Sequence, residues 1–232
     1  MNLEVNELFY SIEGETLSSG FPAIFIRLSG CNLNCRWCDT PGAKEKGNSH
    51  SIESILKAIA GFTADHVTVT GGEPLCQTNS IKLMNGLLAD GHRVQLETNG
   101  SISVKDVPAS VRKIIDVKTP SSGEERSFCF ENLQYVLNGD EIKFVIADRI
   151  DYEFSRDFMK RHLAGSLAAV DFSPAYGIME PATLASMLLE DRLPVRLNLQ
   201  LHTILWGERE GKVEILLDSG GTVRYIDRLK KE

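Results

Sequence analysis

The sequence predicts an α/β fold in which parallel strands alternate with crossover helices. Short runs rich in β-branched and aromatic residues alternate along the chain with longer stretches of helical character, and this alternation is typical of a parallel sheet. At 232 residues the chain can bury one substantial core. Its linkers are short and no domain boundary is visible, so we expect a core over residues 1–211 and an extension of the same domain over residues 212–232.

The predicted strands and helices follow one another in a regular order. Strands are expected at residues 23–28, 66–70, 93–97, 113–117, 141–146, 168–172 and 195–199. Helices are expected at residues 52–60, 81–89, 151–163 and 181–189. The polar segment 44–49 is expected to be a loop, either a lid or a solvated surface segment.

The end of the chain predicts a β-hairpin. Two β-rich runs within residues 212–226 are joined at Ser219-Gly220-Gly221, a composition that favours a chain reversal. We expect the hairpin to add edge strands to the sheet or to help form a dimer. The alternative is a structural appendage without catalytic meaning.

Three of the five cysteines fall within eight residues, directly after the first predicted strand. Cys31, Cys35 and Cys38 have the spacing C-x3-C-x2-C, and three thiolates can hold three irons of a 4Fe-4S cluster while the fourth iron stays open. A zinc site completed by His50 or Asp39, or a thiol-disulfide pair, is the alternative. The spacing favours the cluster, because structural zinc commonly uses two ligand pairs.

Two further predicted strands end in segments suited to ligand binding. The strand at 66–70 runs into Gly71-Gly72-Glu73-Pro74, where missing side chains let a ligand approach the backbone. The next strand ends at Glu97, and Thr98 and Asn99 follow it. We therefore expect polar groups and bare backbone at the same edge of the sheet as the cysteines.

The three-cysteine loop followed by the Gly71-Gly72-Glu73 turn resembles the radical S-adenosylmethionine (SAM) superfamily. The resemblance implies a truncated TIM-like barrel, since the chain is short for eight strand–helix units. It also implies that SAM chelates the open iron through its amino and carboxylate groups and that the turn receives the methionine amino group. Reduction of the cluster would then cleave SAM to a 5'-deoxyadenosyl radical.

Three more motifs narrow the resemblance to the 7-carboxy-7-deazaguanine synthase family. They are the segment 9–15, Cys38-Asp39-Thr40 and Gln200-Leu201-His202, and the resemblance covers residues 1–211. It implies conversion of 6-carboxy-5,6,7,8-tetrahydropterin to 7-carboxy-7-deazaguanine with loss of ammonia, on the route to queuosine and related deazapurines. The radical would remove the hydrogen at C6 of the pterin, and SAM would be reformed at the end.

The family resemblance implies roles for residues position by position. Cys31, Cys35 and Cys38 would hold the cluster, and the Thr40 hydroxyl would ligate Mg2+ or act only as a turn hydroxyl. The residues implied to bind SAM are Trp37, Cys38, Asp39, Gly71, Gly72, Glu73, Glu97, Asp116, Val117, Lys118, Ser173, Pro174, Ala175 and Tyr176. The residues implied to bind the substrate are Ile12, Glu13, Gly14, Glu15, Arg27, Thr70 and His202.

Arg27 is also a candidate carboxylate-binding residue on physical grounds. Its planar guanidinium can grip a carboxylate with two hydrogen bonds, and alternation along residues 24–28 could point it into a barrel mouth. The alternative is a surface arginine on a strand. Without the family resemblance, His202 would be interpreted as a core histidine. Residues 173–176 would likewise be interpreted as an ordinary Ser-Pro turn.

The chain departs from its relatives at three places. Relatives carry Ser-Pro-Lys where this chain has residues 116–118, so only Lys118 matches. Glu13 replaces a glutamine, which exchanges an amide for a group that only accepts hydrogen bonds when ionised. Several relatives end soon after the segment matching Trp206-Gly207 and use the terminal carboxylate near the substrate, whereas this chain continues to Glu232.

Composition limits the partners. The net charge of -7 argues against general nucleic-acid binding, which needs a basic surface. No apolar run approaches the roughly 20 residues that cross a bilayer, and no signal peptide is recognisable, so we expect a cytoplasmic enzyme without a membrane partner. In a reducing cytosol, Cys76 and Cys129 are expected to be buried or half-buried thiols.

The resemblance implies a small pterin substrate, a flavodoxin- or ferredoxin-like reductant and a homodimer. Two other functions stay open. One is a small radical SAM activase that acts on a glycyl site of a protein. The other is a zinc-binding or electron-carrying module without SAM chemistry.

Overall fold

The computed structural model describes residues 1–207, 211–218 and 222–229, which form one 11-stranded sheet and its helices. The strands are β1 (Asn2–Ile12), β2 (Pro22–Leu28), β3 (Asn48–Ser51), β4 (His66–Gly71), β5 (Arg93–Thr98), β6 (Arg112–Asp116), β7 (Glu141–Ile146), β8 (Ala169–Pro174), β9 (Arg196–Leu197), β10 (Val213–Leu217) and β11 (Val223–Asp227). The α-helices are α1 (Ile52–Ile59), α2 (Ser80–Ala89), α3 (Arg149–His162), α4 (Pro181–Asp191) and α5 (Leu201–Trp206). Short 3-10 helices cover Pro41–Lys44, Pro74–Cys76, Pro120–Ser122 and Phe130–Tyr135.

The centre of the sheet is parallel. Strands β2 and β4 to β9 run in the same direction as neighbours, which confirms the predicted α/β architecture. Along β4, Val67 and Val69 are fully buried in the apolar core that includes Ile55 of α1, whereas Thr68 and Thr70 point to the opposite face. One face of the sheet therefore packs on helices, and the other carries polar groups.

The sheet does not close, so the barrel is partial as predicted. Within the described part of the chain, β9 and β11 stand at the two ends of the strand order, and β3 pairs only with β1. Strand β9 is shorter than the predicted 195–199, because the chain leaves the sheet to form α5. At that point the amide of Leu201 donates to the carbonyl of Gly14 at 2.8 Å, so the segment after β1 lies beside the end of β9.

Antiparallel strands extend the sheet beyond β2. Strand β1 pairs with β2, β3 and β10, and β10 pairs with β11, which confirms that the tail adds edge strands. Its predicted turn at residues 219–221 lies outside the described residues. The prediction of a loop over 44–49 was wrong at its ends, because a 3-10 helix ends at Lys44 and Asn48 begins β3.

The four predicted helices are confirmed to within two residues at either end. Two of them begin at side-chain caps: Ser51 accepts a hydrogen bond from the amide of Ser54 at 3.1 Å, and Asp148 accepts one from Asp151 at 2.9 Å. No helix in residues 1–207, 211–218 and 222–229 is long and apolar enough to cross a membrane. Cys76 is exposed, contrary to expectation, although Pro74 and Leu75 of the same 3-10 helix are buried.

Candidate active site

The loop after β2 and the carboxyl ends of the parallel strands enclose a cavity of about 550 Å³. It brings together most of the residues that the sequence predicted. The predicted residues that line it are Ile12, Glu13, Gly14, Glu15, Arg27, Cys31, Cys35, Cys38, Asp39, Thr40, Thr70, Gly71, Gly72, Glu97, Asp116, Lys118, Tyr176 and His202. The predicted residues outside this lining are Trp37, Glu73, Val117, Ser173, Pro174 and Ala175.

The three motif cysteines are free thiols on the cavity wall. The loop that carries them passes so close to the turn after β4 that a Cβ on Gly72 would overlap the carbonyl of Gly30 and approach Cys31. Burial raises the pKa of the Cys35 thiol, and Lys118 opposes that rise. The Gly-Gly turn and the cysteine loop are thus packed backbone against backbone at one end of the cavity.

This set of donors fits an open-iron cluster. Among the described residues, no three or more His, Cys, Asp and Glu side chains converge as a single metal ion requires. His50, the predicted alternative zinc ligand, lies in β3 opposite Leu3 and does not line the cavity. Three thiols around one cavity without a fourth protein thiol are the ligands that leave one iron of a 4Fe-4S cluster open.

Glu73 anchors the turn instead of facing the cavity. Its fully buried carboxylate accepts hydrogen bonds from the Thr98 hydroxyl at 2.9 Å and from the amides of Asn99 and Leu75 at 2.7 and 3.0 Å. Burial raises the pKa of this carboxyl. The backbone of Gly71 and Gly72 lines the cavity and remains the part of the turn that a ligand can approach.

Of the predicted SAM-binding residues in the cysteine loop and after the later strands, some line the cavity and others do not. Lys118 pairs with Asp116 at 2.8 Å on the cavity wall. Trp37 turns away and donates from its indole nitrogen to Ser121 at 2.9 Å. Val117 is fully buried in the apolar core, and the Ser173 hydroxyl accepts a hydrogen bond from Asn198 at 3.0 Å. Only Tyr176 of the predicted 173–176 segment reaches the cavity.

A largely buried ion pair lines the cavity. The carboxylate of Glu15 contacts the Lys143 ammonium and also accepts a hydrogen bond from Gln200 at 2.9 Å. Burial alone would raise the pKa of Glu15, but Lys143 outweighs burial and the pKa is lowered. The same glutamate raises the pKa of Lys143 against burial. Both groups are therefore charged at neutral pH.

Two other carboxyls in the cavity, those of Glu13 and Glu97, have raised pKa values. Glu13 accepts hydrogen bonds from Thr68 at 2.8 Å and Gln95 at 2.5 Å, and burial together with Glu97 raises its pKa to about 8. Burial also raises the pKa of Glu97, which accepts a hydrogen bond from Thr70 at 2.8 Å. The site therefore holds a protonated Glu13 close to an ionised Glu15.

The remaining predicted substrate contacts lie along the sides of the cavity. Arg27 donates from Nε to Glu7 at 3.2 Å. Gly14 packs against His202 so closely that a Cβ would stand 2.6 Å from the ring nitrogen Nδ1. The Thr40 hydroxyl donates to Asp39 at 3.1 Å on an exposed stretch at the rim.

Sequence and structure comparisons point to one family. The radical SAM superfamily profile matches residues 25–119. The 7-carboxy-7-deazaguanine synthases of Koribacter versatilis and Chlorobaculum tepidum are each 41% identical to this chain over 88% of it, covering 97% and 94% of the relatives. The crystal structure of QueE from Escherichia coli matches with a TM-score of 0.73 at 26% identity, over 87% of this chain and 95% of that chain.

The chain belongs to the 7-carboxy-7-deazaguanine synthase family. It is a radical SAM enzyme whose cofactors are a 4Fe-4S cluster and SAM, as predicted, and its substrate is a small molecule. The family assignment sets aside the glycyl-radical activase and the zinc-binding or electron-carrying module.

Several residues of the cavity were not predicted from the sequence. Lys143 interrupts the apolar run of β7, and a lysine at an inward position of a buried strand was an available signal. Phe9 and Phe25 were not among the predicted site residues, although their rings stack in the cavity wall with centres 4.7 Å apart. Lys212 gave no signal at all, because only the pairing of β10 with β1 brings the hairpin to the cavity.

Proposed function

We propose that this chain converts 6-carboxy-5,6,7,8-tetrahydropterin to 7-carboxy-7-deazaguanine with loss of ammonia, in 7-deazapurine biosynthesis. One observation carries the proposal. A single cavity is lined by three free cysteines and the Gly71-Gly72 backbone at one end, and by Arg27 and the Glu15–Lys143 pair beside them. A cofactor bound at the cysteines and a charged, hydrogen-bonding substrate would meet in that space.

In this proposal the cofactors occupy the cysteine end of the cavity. When bound, the cluster and SAM supply radical abstraction of a hydrogen atom from the substrate. Cys31, Cys35 and Cys38 hold the cluster, and Gly71 and Gly72 let the methionine part of SAM approach the backbone. The further proposed SAM contacts are Trp37, Asp39, Glu73, Glu97, Asp116, Val117, Lys118, Ser173, Pro174, Ala175 and Tyr176.

The substrate end is proposed to read a carboxylate and a pterin edge. The terminal nitrogens of Arg27 make no hydrogen bond to the described residues, so its fork is available for the substrate carboxylate. Protonated Glu13 and ionised Glu15 offer different hydrogen-bonding capacity to the pterin edge. The remaining proposed contacts are Ile12, Gly14, Thr70 and His202.

Mg2+ is proposed to bind at the rim through the Thr40 hydroxyl. A single hydroxyl is enough protein contact for an ion that keeps several waters and uses substrate oxygens as further ligands. The neighbouring Asp39 adds negative charge at the same place. Mg2+ would then be held between this rim and the carboxylate of the substrate.

The proposed chemistry also bears on the electron donor, the cellular location and the oligomeric state. Cluster reduction needs a low-potential donor, so we propose a flavodoxin- or ferredoxin-like partner and a cytoplasmic location where thiols stay reduced. Among the described residues, β11 pairs only with β10, and an edge strand of this kind supports a homodimer. No nucleic acid or membrane is required by this chemistry.

The test is an anaerobic turnover assay with reconstituted, reduced enzyme, SAM, Mg2+ and 6-carboxytetrahydropterin, followed by mass spectrometry. We expect formation of 7-carboxy-7-deazaguanine and ammonia. Cleavage of SAM without change of the pterin would contradict the substrate. Failure of both reactions with a verified cluster would contradict the proposed reaction altogether.

A further inference from the structure

We propose that Lys212, the residue that leads into the C-terminal hairpin, is a substrate-binding cation that acts with Arg27 on the carboxylate of a flat, carboxylated heterocycle. The inference deepens the proposed function and rests on it. It gives the hairpin a role in substrate recognition that its place at the edge of the sheet does not by itself suggest.

The backbone of Lys212 is fixed on both sides. The buried hydroxyl of Ser11 donates to the carbonyl of Gly211 at 2.6 Å, and the amide of Arg228 donates to the carbonyl of Lys212 at 2.9 Å. Gly211 has a φ of +52°, and a Cβ there would overlap the ring of Trp206. Gly211 therefore adopts a left-handed conformation packed against Trp206, and Lys212 follows it directly.

The side chain of Lys212 enters the cavity wall. Its ammonium contacts Oε1 of Glu7, lies 3.7 Å from Oε1 of Glu214, and lies 5.4 Å from the centre of the Phe9 ring, within cation–π range. Arg27 approaches the same two groups, with Nε 3.2 Å from Oε2 of Glu7 and its guanidinium carbon 5.8 Å from the Phe9 ring centre. The two cations thus share one carboxylate and one aromatic ring.

The surface between the two cations suits a flat anionic ligand. Phe9 and Phe25 stack with ring centres 4.7 Å apart and planes 5° from parallel, and both line the cavity. Only 14% of the Lys212 side chain and 18% of the Arg27 side chain is exposed. In such a partly desolvated place a carboxylate between two cations is held more strongly than at the surface.

The experiment measures binding of 6-carboxypterin, an unreactive aromatic probe, to the full chain by fluorescence titration. We expect Lys212→Met to weaken binding by roughly tenfold or more, because a charge-assisted contact is lost. Lys212→Arg keeps the charge and should stay within about threefold of the wild type. Arg224→Met removes an exposed cation from the same hairpin and should leave binding unchanged.

Two further measurements separate direct contact from an effect through Glu7. With unsubstituted pterin, which lacks the carboxylate, Lys212→Met should change the affinity little. In a Glu7→Gln background, Lys212→Met should still weaken carboxypterin binding.

Equal affinity of wild type and Lys212→Met for carboxypterin would overturn the inference, as would loss of the effect in the Glu7→Gln background. Wild-type protein that fails to bind carboxypterin at all would instead contradict the proposed function, and this inference with it.

Discussion

The thiol of Cys35, a proposed cluster ligand, is surrounded by groups that shift its pKa in opposite directions. Burial raises the pKa of its thiol, while the Lys118 ammonium on the cavity wall lowers it. A nearby cation stabilises the thiolate, which is the form that binds metal. Lys118, a proposed SAM contact, would therefore also favour the thiolate form of Cys35 that the proposed cluster needs.

Replacing Cys35 by alanine should abolish cluster loading, because two thiolates remain where three are needed. We expect the reconstituted Cys35→Ala protein to carry less than about a tenth of the wild-type iron, measured by iron analysis and electron paramagnetic resonance after reduction. Cys129→Ala is the matched control, since Cys129 is half-buried outside the cavity. An intact 4Fe-4S signal from Cys35→Ala would contradict its role.

Glu13 links the site to the pH dependence of stability. Burial and Glu97 raise its pKa from the ordinary 4.5 to about 8, so between these values the folded chain holds a proton that the unfolded chain releases. The stability tied to this proton is complete below pH 4.5 and declines as the pH rises toward 8. The slope is about 1.4 kcal/mol per pH unit for one proton.

Glu13→Gln should therefore make the melting temperature less sensitive to pH. Between pH 5 and 8 we expect the wild type to lose about 2–4 °C more per pH unit than the variant, as followed by circular dichroism. Glu53→Gln on the exposed face of α1 should keep the wild-type slope. Parallel curves for wild type and Glu13→Gln would show that Glu13 is already ionised in the folded protein.

At the scale of elements, the segment between β1 and β2 closes the amino-terminal end of the barrel. Arg196 of β9 donates to the carbonyl of Thr16 at 2.6 Å, to Asp171 at 2.7 Å and to Glu141 at 2.7 Å. Glu141 in turn accepts a hydrogen bond from the amide of Leu17 at 3.0 Å. This clamp fixes the segment that carries Glu13 and Glu15 into the cavity.

Arg196→Met should be strongly destabilising, because it leaves the buried Asp171 carboxylate without its cation and removes the hydrogen-bond donor of Glu141 and of the Thr16 carbonyl. We expect a loss of about 3–5 kcal/mol in the free energy of unfolding, measured by urea titration. Arg149→Met breaks an exposed pair with Glu153 on α3 and should cost at most about 0.5 kcal/mol. Equal losses in the two variants would mean that the clamp contributes no more than a surface ion pair.

The helices and strands that could be predicted from the sequence are those whose own side chains carry a recognisable local pattern. Buried strands such as β4 and helices such as α3 carry their apolar pattern and their caps within a few residues. Strand β3, Asn-Ser-His-Ser, has no such pattern and exists because its backbone pairs with β1. Strand β1 escaped prediction because a register shift between Val5 and Glu7 interrupts its alternation.

The same distinction applies to the candidate site. The positions of the three cysteines and of Gly71-Gly72 on the cavity wall could be predicted, because they depend on local spacing at the ends of strands. The partner of Glu15 could not, because Lys143 lies 128 positions further along the chain. Contacts of this kind depend on strand order and on which face each side chain occupies, and neither follows from a local motif.

For the whole molecule, the hairpin protects one flank of the sheet. Strand β10 covers the edge of β1 at Phe9 and Tyr10, and Ile215 is 3% exposed in the core. On β11, Tyr225 packs edge-on against Phe62 at 5.2 Å. An uncovered edge strand is a template for association with other chains. The extension replaces the edge of the long strand β1 by that of the shorter β11, so it bears on solubility as well as on the cavity.

A chain that ends at Gly211 should therefore be less stable and should self-associate. We expect a loss of at least about 2–4 kcal/mol from Ile215 and the Tyr225 contact, together with higher oligomers in size-exclusion chromatography with light scattering. Ile215→Ala in the full chain is the matched control, because it removes apolar packing while β10 still covers β1. It should lower the melting temperature without changing the size of the particle. The expected association depends on the exposed edge of β1 alone. A truncated chain with the same size distribution as the full chain would therefore show that β1 does not need β10 to prevent association.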